Sequence, residues 1–169
     1  MCNNESWVGR EAQTAYEQLL VQMEALLAPE IDWLANLANA TALLYHALPD
    51  LNWAGFYLHK QGELILGPFQ GKPACVRIAI GKGVCGTAAE RRETVVVQDV
   101  HLFPGHIVCD LASRSEIVVP IIQDERVWGV LDLDSPCKGR FSRLDQTYLE
   151  RLVELLYEHV EWRAACGKI

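Results

Sequence analysis

The sequence predicts an α+β fold, with a six-stranded, mainly antiparallel sheet. Two N-terminal helices and a C-terminal helix pack on one of its faces. Three observations predict it. Apolar residues recur at helical spacing at both ends of the chain, the middle switches to strand-like runs of five to ten residues, and those runs are punctuated by short turns of the kind that close hairpins. The 169 residues suit one domain with a proper core, here taken as 1–169 with the core over about 10–165.

The elements follow in order. Ala12, Ala15, Tyr16, Leu19, Leu20, Met23, Leu26 and Leu27 share one helix face and predict a helix over 11–27. Pro29 separates it from a second helix over 31–48, which ends before Pro49. "LNWAGFYLH" and "GELILG" read as a hairpin, and "CVRIAI" reads as a third strand. "VCGTAAERR" is a short helix and "TVVVQD" a fourth strand, followed by a polar loop over 101–114 with room for a turn of helix. "SEIVVPIIQ" and "RVWGVLDLDS" form a closing hairpin around "DE". Ser142, with Asp145 three residues on, caps a last helix expected to run to about Ala165.

Composition narrows the function. Apolar residues make up 50% and charged residues 22%, and no apolar run is long enough for a membrane span. The first ten residues show no secretory signal, so a cytoplasmic protein is expected. The net charge of −7, without a basic stripe, disfavours nucleic acid and anionic membranes as partners. In a reducing compartment the six cysteines are not expected to form a disulfide framework, and Cys2, Cys137 and Cys166 read as incidental. Cys75, Cys85 and Cys109 cluster in the middle third.

Side chains alternate across a strand, so Asp132 and Asp134 point to one face. Pairing around "QDER" brings positions summing to about 249 opposite each other. That sets Glu116 near Leu133 and puts three carboxylates at one corner. Such a cluster calls for a cation and raises at least one carboxyl pKa, which makes a proton donor available near neutral pH. Trp53, Gly55 and Tyr57 share a strand face, and the glycine leaves room for an approach to the backbone. Aromatic rings beside carboxylates suit a small zwitterion, although ordinary core packing is the commoner role of such rings.

Gly81, Gly83 and Gly86, with Asp99 beyond, match G-x-G-x-x-G. That fingerprint belongs to parallel sheets of uniformly apolar strands, whereas Arg77 interrupts the strand here. A tight turn whose helix N-terminus receives a substrate carboxylate is the better reading. His101, His106 and Cys109 could hold a metal, but their spacing matches no common site, and no metal is expected. His106 is instead expected to lower the pKa of Cys109 on an exposed loop and so make it a reactive thiolate.

The spacing Cys75-x9-Cys85-x23-Cys109, with "NWAGFYL", "GKGVCGTAA", "HIVCD", "SEIVVPI" and "GVLDLDS", resembles the free methionine-(R)-sulfoxide reductases, stand-alone GAF-domain enzymes, over residues 10–160. The resemblance implies a GAF-like fold and reduction of free methionine sulfoxide. By position it implies that Cys109 is the nucleophile, Cys75 the main resolving thiol and Cys85 an alternative one. It implies that Glu116, Asp132 and Asp134 are polar substrate ligands, that Glu116 or Asp134 donates the proton, and that Trp53 and Tyr57 form the pocket wall. It further implies a sulfenic acid resolved to a disulfide, with thioredoxin as external reductant and no cofactor. The rival readings are a non-catalytic GAF sensor of a small ligand or of redox state, and a metal-binding regulator. The apolar terminal helices also make a homodimer plausible.

Overall fold

A computed structural model describes Trp7 and residues 9–167. The sheet has six strands, β1 (Trp53–Lys60), β2 (Glu63–Gly71), β3 (Arg77–Ala79), β4 (Val95–Val97), β5 (Ser115–Gln123) and β6 (Arg126–Ser135). They lie in the order β3-β2-β1-β6-β5-β4, and every neighbouring pair is antiparallel. The third and fourth strands are half the length that the sequence suggests, because both sit at sheet edges with a single partner each.

Helices α1 (Gly9–Leu27), α2 (Trp33–Ala47) and α4 (Arg143–His159) lie on one side. Ala54, Phe56 and Leu58 of β1, Ile117, Val119 and Ile121 of β5, and Leu131 and Leu133 of β6 form one apolar core with them. Asp32 caps α2, accepting from the Leu34 and Ala35 N–H groups. Ser142 and Asp145 form the expected capping box at the start of α4.

The final helix is not continuous to Ala165. It stops at His159, and a short α5 (Trp162–Cys166) follows, capped by Glu161. The buried Asn36 side chain of α2 donates to the His159 carbonyl at 2.9 Å, which satisfies one of the orphan groups at the helix end. Trp162, Ala165 and Cys166 then join the core beside β1. Cys137, expected to be incidental, is disulfide-bonded.

The opposite face of the sheet carries α3 (Gly83–Arg91), a 3-10 turn (Val100–Leu102) and the loops around them. A second, smaller core lies here, built from Trp53, Tyr57, Ile78, Val84, Val118 and Val130 among others. This face holds the candidate site.

Candidate active site

The register of the closing hairpin decides which face the acids occupy. Asp124 and Glu125, both at positive φ, make a two-residue turn, and the first pairs are Gln123↔Arg126 and Ile122↔Val127. The register then shifts, so that Ile121 meets Gly129 and Trp128 is the extra residue of a bulge. From there Glu116 pairs with Asp134 rather than with Leu133, and Val118 pairs with Asp132. The sequence-based register is thus one residue off. The correction matters, since a one-residue slip in pairing changes which side chains share a face. Across the other edge of β6, Trp53 pairs with Asp134 and Gly55 with Asp132. Three neighbouring strands therefore bring Trp53, Asp132, Asp134 and Glu116 to one face.

These residues, with Tyr57, Cys85 and Cys109, line one cavity. Trp53 and Tyr57 stack with ring centroids 5.9 Å apart, and Phe69 stacks on the far side of Trp53 at 5.5 Å. The space above Gly55 is filled by the Trp53 ring itself. A Cβ at Gly55 would lie 2.5 Å from that ring and from the Phe69 Cβ, so the missing side chain lets the aromatic wall lie flat on the strand.

Glu116 and Asp132 are buried and Asp134 is half-buried, and loss of solvent pushes the pKa of each well up. Asp134 further raises Glu116, Glu116 raises Asp132, and Asp132 raises Asp134. Each carboxyl therefore keeps its proton to a higher pH than a free acid does. Asp132 accepts from the Cys85 thiol through Oδ2 at 3.2 Å, while its Oδ1 has no hydrogen-bond partner. His106 Nε2 stands 3.6 Å from Glu116 Oε2, and burial lowers the pKa of His106, so it faces Glu116 as a neutral ring.

Cys109 does not carry the low pKa expected from His106. Although Cys109 is exposed on its loop, partial desolvation of its thiol and the adjacent Cys75 thiol push it up to about 12. Its Sγ lies 2.7 Å from Cys75 Sγ. Both cysteines are held from outside the thiol pair. The Tyr57 hydroxyl donates to the Cys75 carbonyl at 2.9 Å, and Trp53 Nε1 donates to the Lys72 carbonyl at 3.2 Å. On the other loop Asp110 accepts from Asn52 at 3.2 Å and from Lys72 Nζ at 3.2 Å. Asn52 also donates to Ser113 at 2.9 Å, and Ser113 hydrogen-bonds Asp134. Lys72, Asn52, Asp110 and Ser113 belong to the site and went unnoticed in the sequence. Their only signal was adjacency, Asn52 beside Trp53 and Asp110 beside Cys109.

Cys85 sits deeper, fully within the acid cluster, where burial and Asp132 raise its thiol pKa. Cys85, Glu116 and Asp132 each offer a ligand atom within 4.8 Å of the others and could hold a metal ion. The expected alternative set does not assemble. His106 and Cys109 line the cavity, but His101 is exposed on the 3-10 turn and does not. The glycine motif lies between β3 and α3 of an antiparallel sheet. Gly81 N–H donates to the Gly86 carbonyl at 2.8 Å, and a Cβ at Gly83 would meet Ile107 at 3.0 Å. Gly83 thereby lets the loop before Cys109 close on α3. Asp99 takes no part. It caps the 3-10 turn and pairs with Lys138 at 2.5 Å.

Comparison with known proteins agrees with this arrangement. Residues 22–159 match the GAF domain family. The free methionine-R-sulfoxide reductase of Escherichia coli is 53% identical over 141 residues, covering 83% of this chain and 86% of that protein. The enzyme of the same name from Saccharomyces cerevisiae is 49% identical over 148 residues, covering 83% and 82%. The X-ray structure of free methionine-R-sulfoxide reductase from Neisseria meningitidis, in complex with its substrate, superposes with a TM-score of 0.87 at 45% identity, covering 94% of this chain and 95% of that one. With its sheet order and its acid-lined cavity, the chain belongs to the GAF-domain family, in the branch of the free methionine-R-sulfoxide reductases.

Proposed function

We propose that the protein reduces free L-methionine (R)-sulfoxide to L-methionine, with Cys109 as nucleophile and Cys75 as resolving thiol. The observation that carries this reading is the 2.7 Å approach of the two sulfurs at a cavity lined by Glu116, Asp132 and Asp134, whose pKa values are raised. Trp53 and Tyr57 wall the methyl sulfide end of the substrate, and Asp132 and Asp134 receive its ammonium group. The names of the relatives, which act on the free amino acid, support the same substrate.

The chemistry follows from the proton inventory. Cys109 enters as a thiol, in keeping with its raised pKa. A carboxylic acid, Glu116 or Asp134, gives its proton to the sulfoxide oxygen while the Cys109 sulfur attacks, and the thiol proton returns to the carboxylate. Transfer of the oxygen leaves methionine and a Cys109 sulfenic acid. Cys75 attacks that sulfur, forming the disulfide and expelling water. Two thiols and one sulfoxide have become one disulfide, one sulfide and one water. A thioredoxin-type dithiol restores the pair by exchange, and no bound cofactor enters the cycle. Cys85, bonded to Asp132 and away from the sulfur pair, serves as a reserve resolving thiol.

A coupled assay with thioredoxin, thioredoxin reductase and NADPH tests the proposal. Expected is one NADPH oxidised per methionine formed, with the R sulfoxide consumed and the S form left. Absence of methionine would overturn the enzyme reading in favour of a ligand or redox sensor.

A further inference from the structure

A zwitterionic substrate presents an ammonium and a carboxylate two bonds apart, and the acids of the cavity answer only the first. Among the described residues, Lys72 is the single lysine or arginine lining the cavity; the other charged side chains there are Asp110, Glu116, Asp132 and Asp134, with His106 as the remaining basic group. Its Nζ rests on Asp110 Oδ1 at 3.2 Å, with its side chain 70% exposed at the mouth. An ammonium group carries three donors, and this contact uses one. Asp110 is itself fixed through Oδ2 to Asn52, which binds Ser113, the neighbour of Asp134. A chain of polar contacts therefore runs from the rim to the acid floor and holds a cation at a set place beside the acid cluster.

We infer that Lys72 binds the α-carboxylate of the substrate and is the residue that selects a free amino acid over one in peptide linkage, with Asp110 as its positioning residue. The inference rests on the reductase reading and adds to it the origin of the preference for the free form. Lys72 keeps its bond to Asp110 and turns a second N–H toward the carboxylate. A substrate whose carboxyl is an amide offers no charge to this group and binds without its help. The competing receptor for the carboxylate is the N-terminus of α3, whose Gly83 and Val84 also line the cavity.

The test compares free methionine-R-sulfoxide with its C-terminal amide on the wild type, Lys72→Met and Lys72→Arg. Expected is a loss of kcat/KM of up to about fivefold for the free acid in Lys72→Met, carried by KM, since an exposed ion pair contributes up to about 1 kcal/mol. For the amide, Lys72→Met and wild type should agree within about twofold, and Lys72→Arg should regain most of the loss on the acid. Equal losses on acid and amide, or no loss on either, overturn the inference and leave the carboxylate to α3. Calorimetric binding of methionine and methioninamide makes the same comparison without turnover. If the wild type fails to reduce the sulfoxide, the reductase reading fails, while selective weakening of methionine binding in Lys72→Met still decides the role of Lys72.

Discussion

Cys109 Sγ and Cys75 Sγ stand 2.7 Å apart, although 34 residues separate them in the chain. The contact is closer than two thiols need for van der Waals packing, and a disulfide requires only a small further movement. Cys85 shares the cavity but donates to Asp132 instead. The three thiols are therefore not equivalent. Cys109→Ser should abolish methionine formation in a quenched-flow measurement. Cys75→Ser should form about one methionine per chain in a burst and then turn over only slowly through Cys85, with the accumulated sulfenic acid trapped by dimedone. Cys85→Ser should keep disulfide formation near the wild-type rate. Full thioredoxin-linked turnover in Cys75→Ser would reassign resolution to Cys85.

Stability depends on a different buried charge. Asp145 accepts from the Tyr16 hydroxyl at 2.7 Å and pairs with Arg140 at 2.8 Å, both of them buried with it, and it caps α4 at the same time. Removing one partner strands the other in the core. Asp145→Ala should cost about 3–5 kcal/mol, read as a chemical-denaturation midpoint. The site lies on the other face of the sheet, so kcat of the folded fraction should change little. A stability loss below about 1 kcal/mol would show the pair to be dispensable.

How far the sequence reached can be judged residue by residue. The hairpin over 115–135 was readable to its ends, because alternation and the "DE" turn are local signals. The bulge at Trp128 was not, because an extra residue in one strand is fixed by packing across the sheet, and it moved Glu116 from Leu133 to Asp134. Asp132 and Asp134 stay together whatever the register, since period two keeps them on one face, and the bulge then brings Glu116 opposite Asp134. The thiolate expectation failed on electrostatics. His106 was placed near Cys109 as a cation, but burial leaves it neutral and raises the thiol. Lys72 and Asn52 were invisible because only the fold brings them to Asp110, 38 and 58 residues away.

The acid cluster should be felt in stability as a function of pH. Glu116, Asp132 and Asp134 all have folded pKa values raised above the unfolded ones by burial and by one another. At neutral pH the unfolded chain binds fewer protons at these positions than the folded chain. Their contribution is fully present below about pH 4 and is lost as pH rises through the folded values. Asp132→Asn removes one of the three titrating groups and keeps an oxygen to accept from the Cys85 thiol. The variant should melt higher than the wild type at pH 8, by about 2–4 °C if the gain is 1 kcal/mol, with the difference shrinking toward pH 4. A difference that grows on acidification would contradict the assigned protonation.

The proton donor can be identified from the same asymmetry. Glu116 is raised first by burial and then by Asp134, and it faces neutral His106 at 3.6 Å. It is the acid of the trio with a basic ring at hand. In the wild type, kcat should hold across acidic and neutral pH and fall as pH rises through the folded pKa of the donor, because only the protonated carboxyl can load the sulfoxide oxygen. Glu116→Gln should lower kcat by about 10²–10⁴-fold. It should also erase the alkaline limb of the profile, since no titrating donor remains. Asp134→Asn should instead act mainly on KM, through the ammonium group. If Asp134→Asn flattens the profile and Glu116→Gln leaves it in place, the two carboxyls exchange roles, and the sulfoxide oxygen lies nearer the Trp53 edge of β6, where Asp134 pairs with that residue.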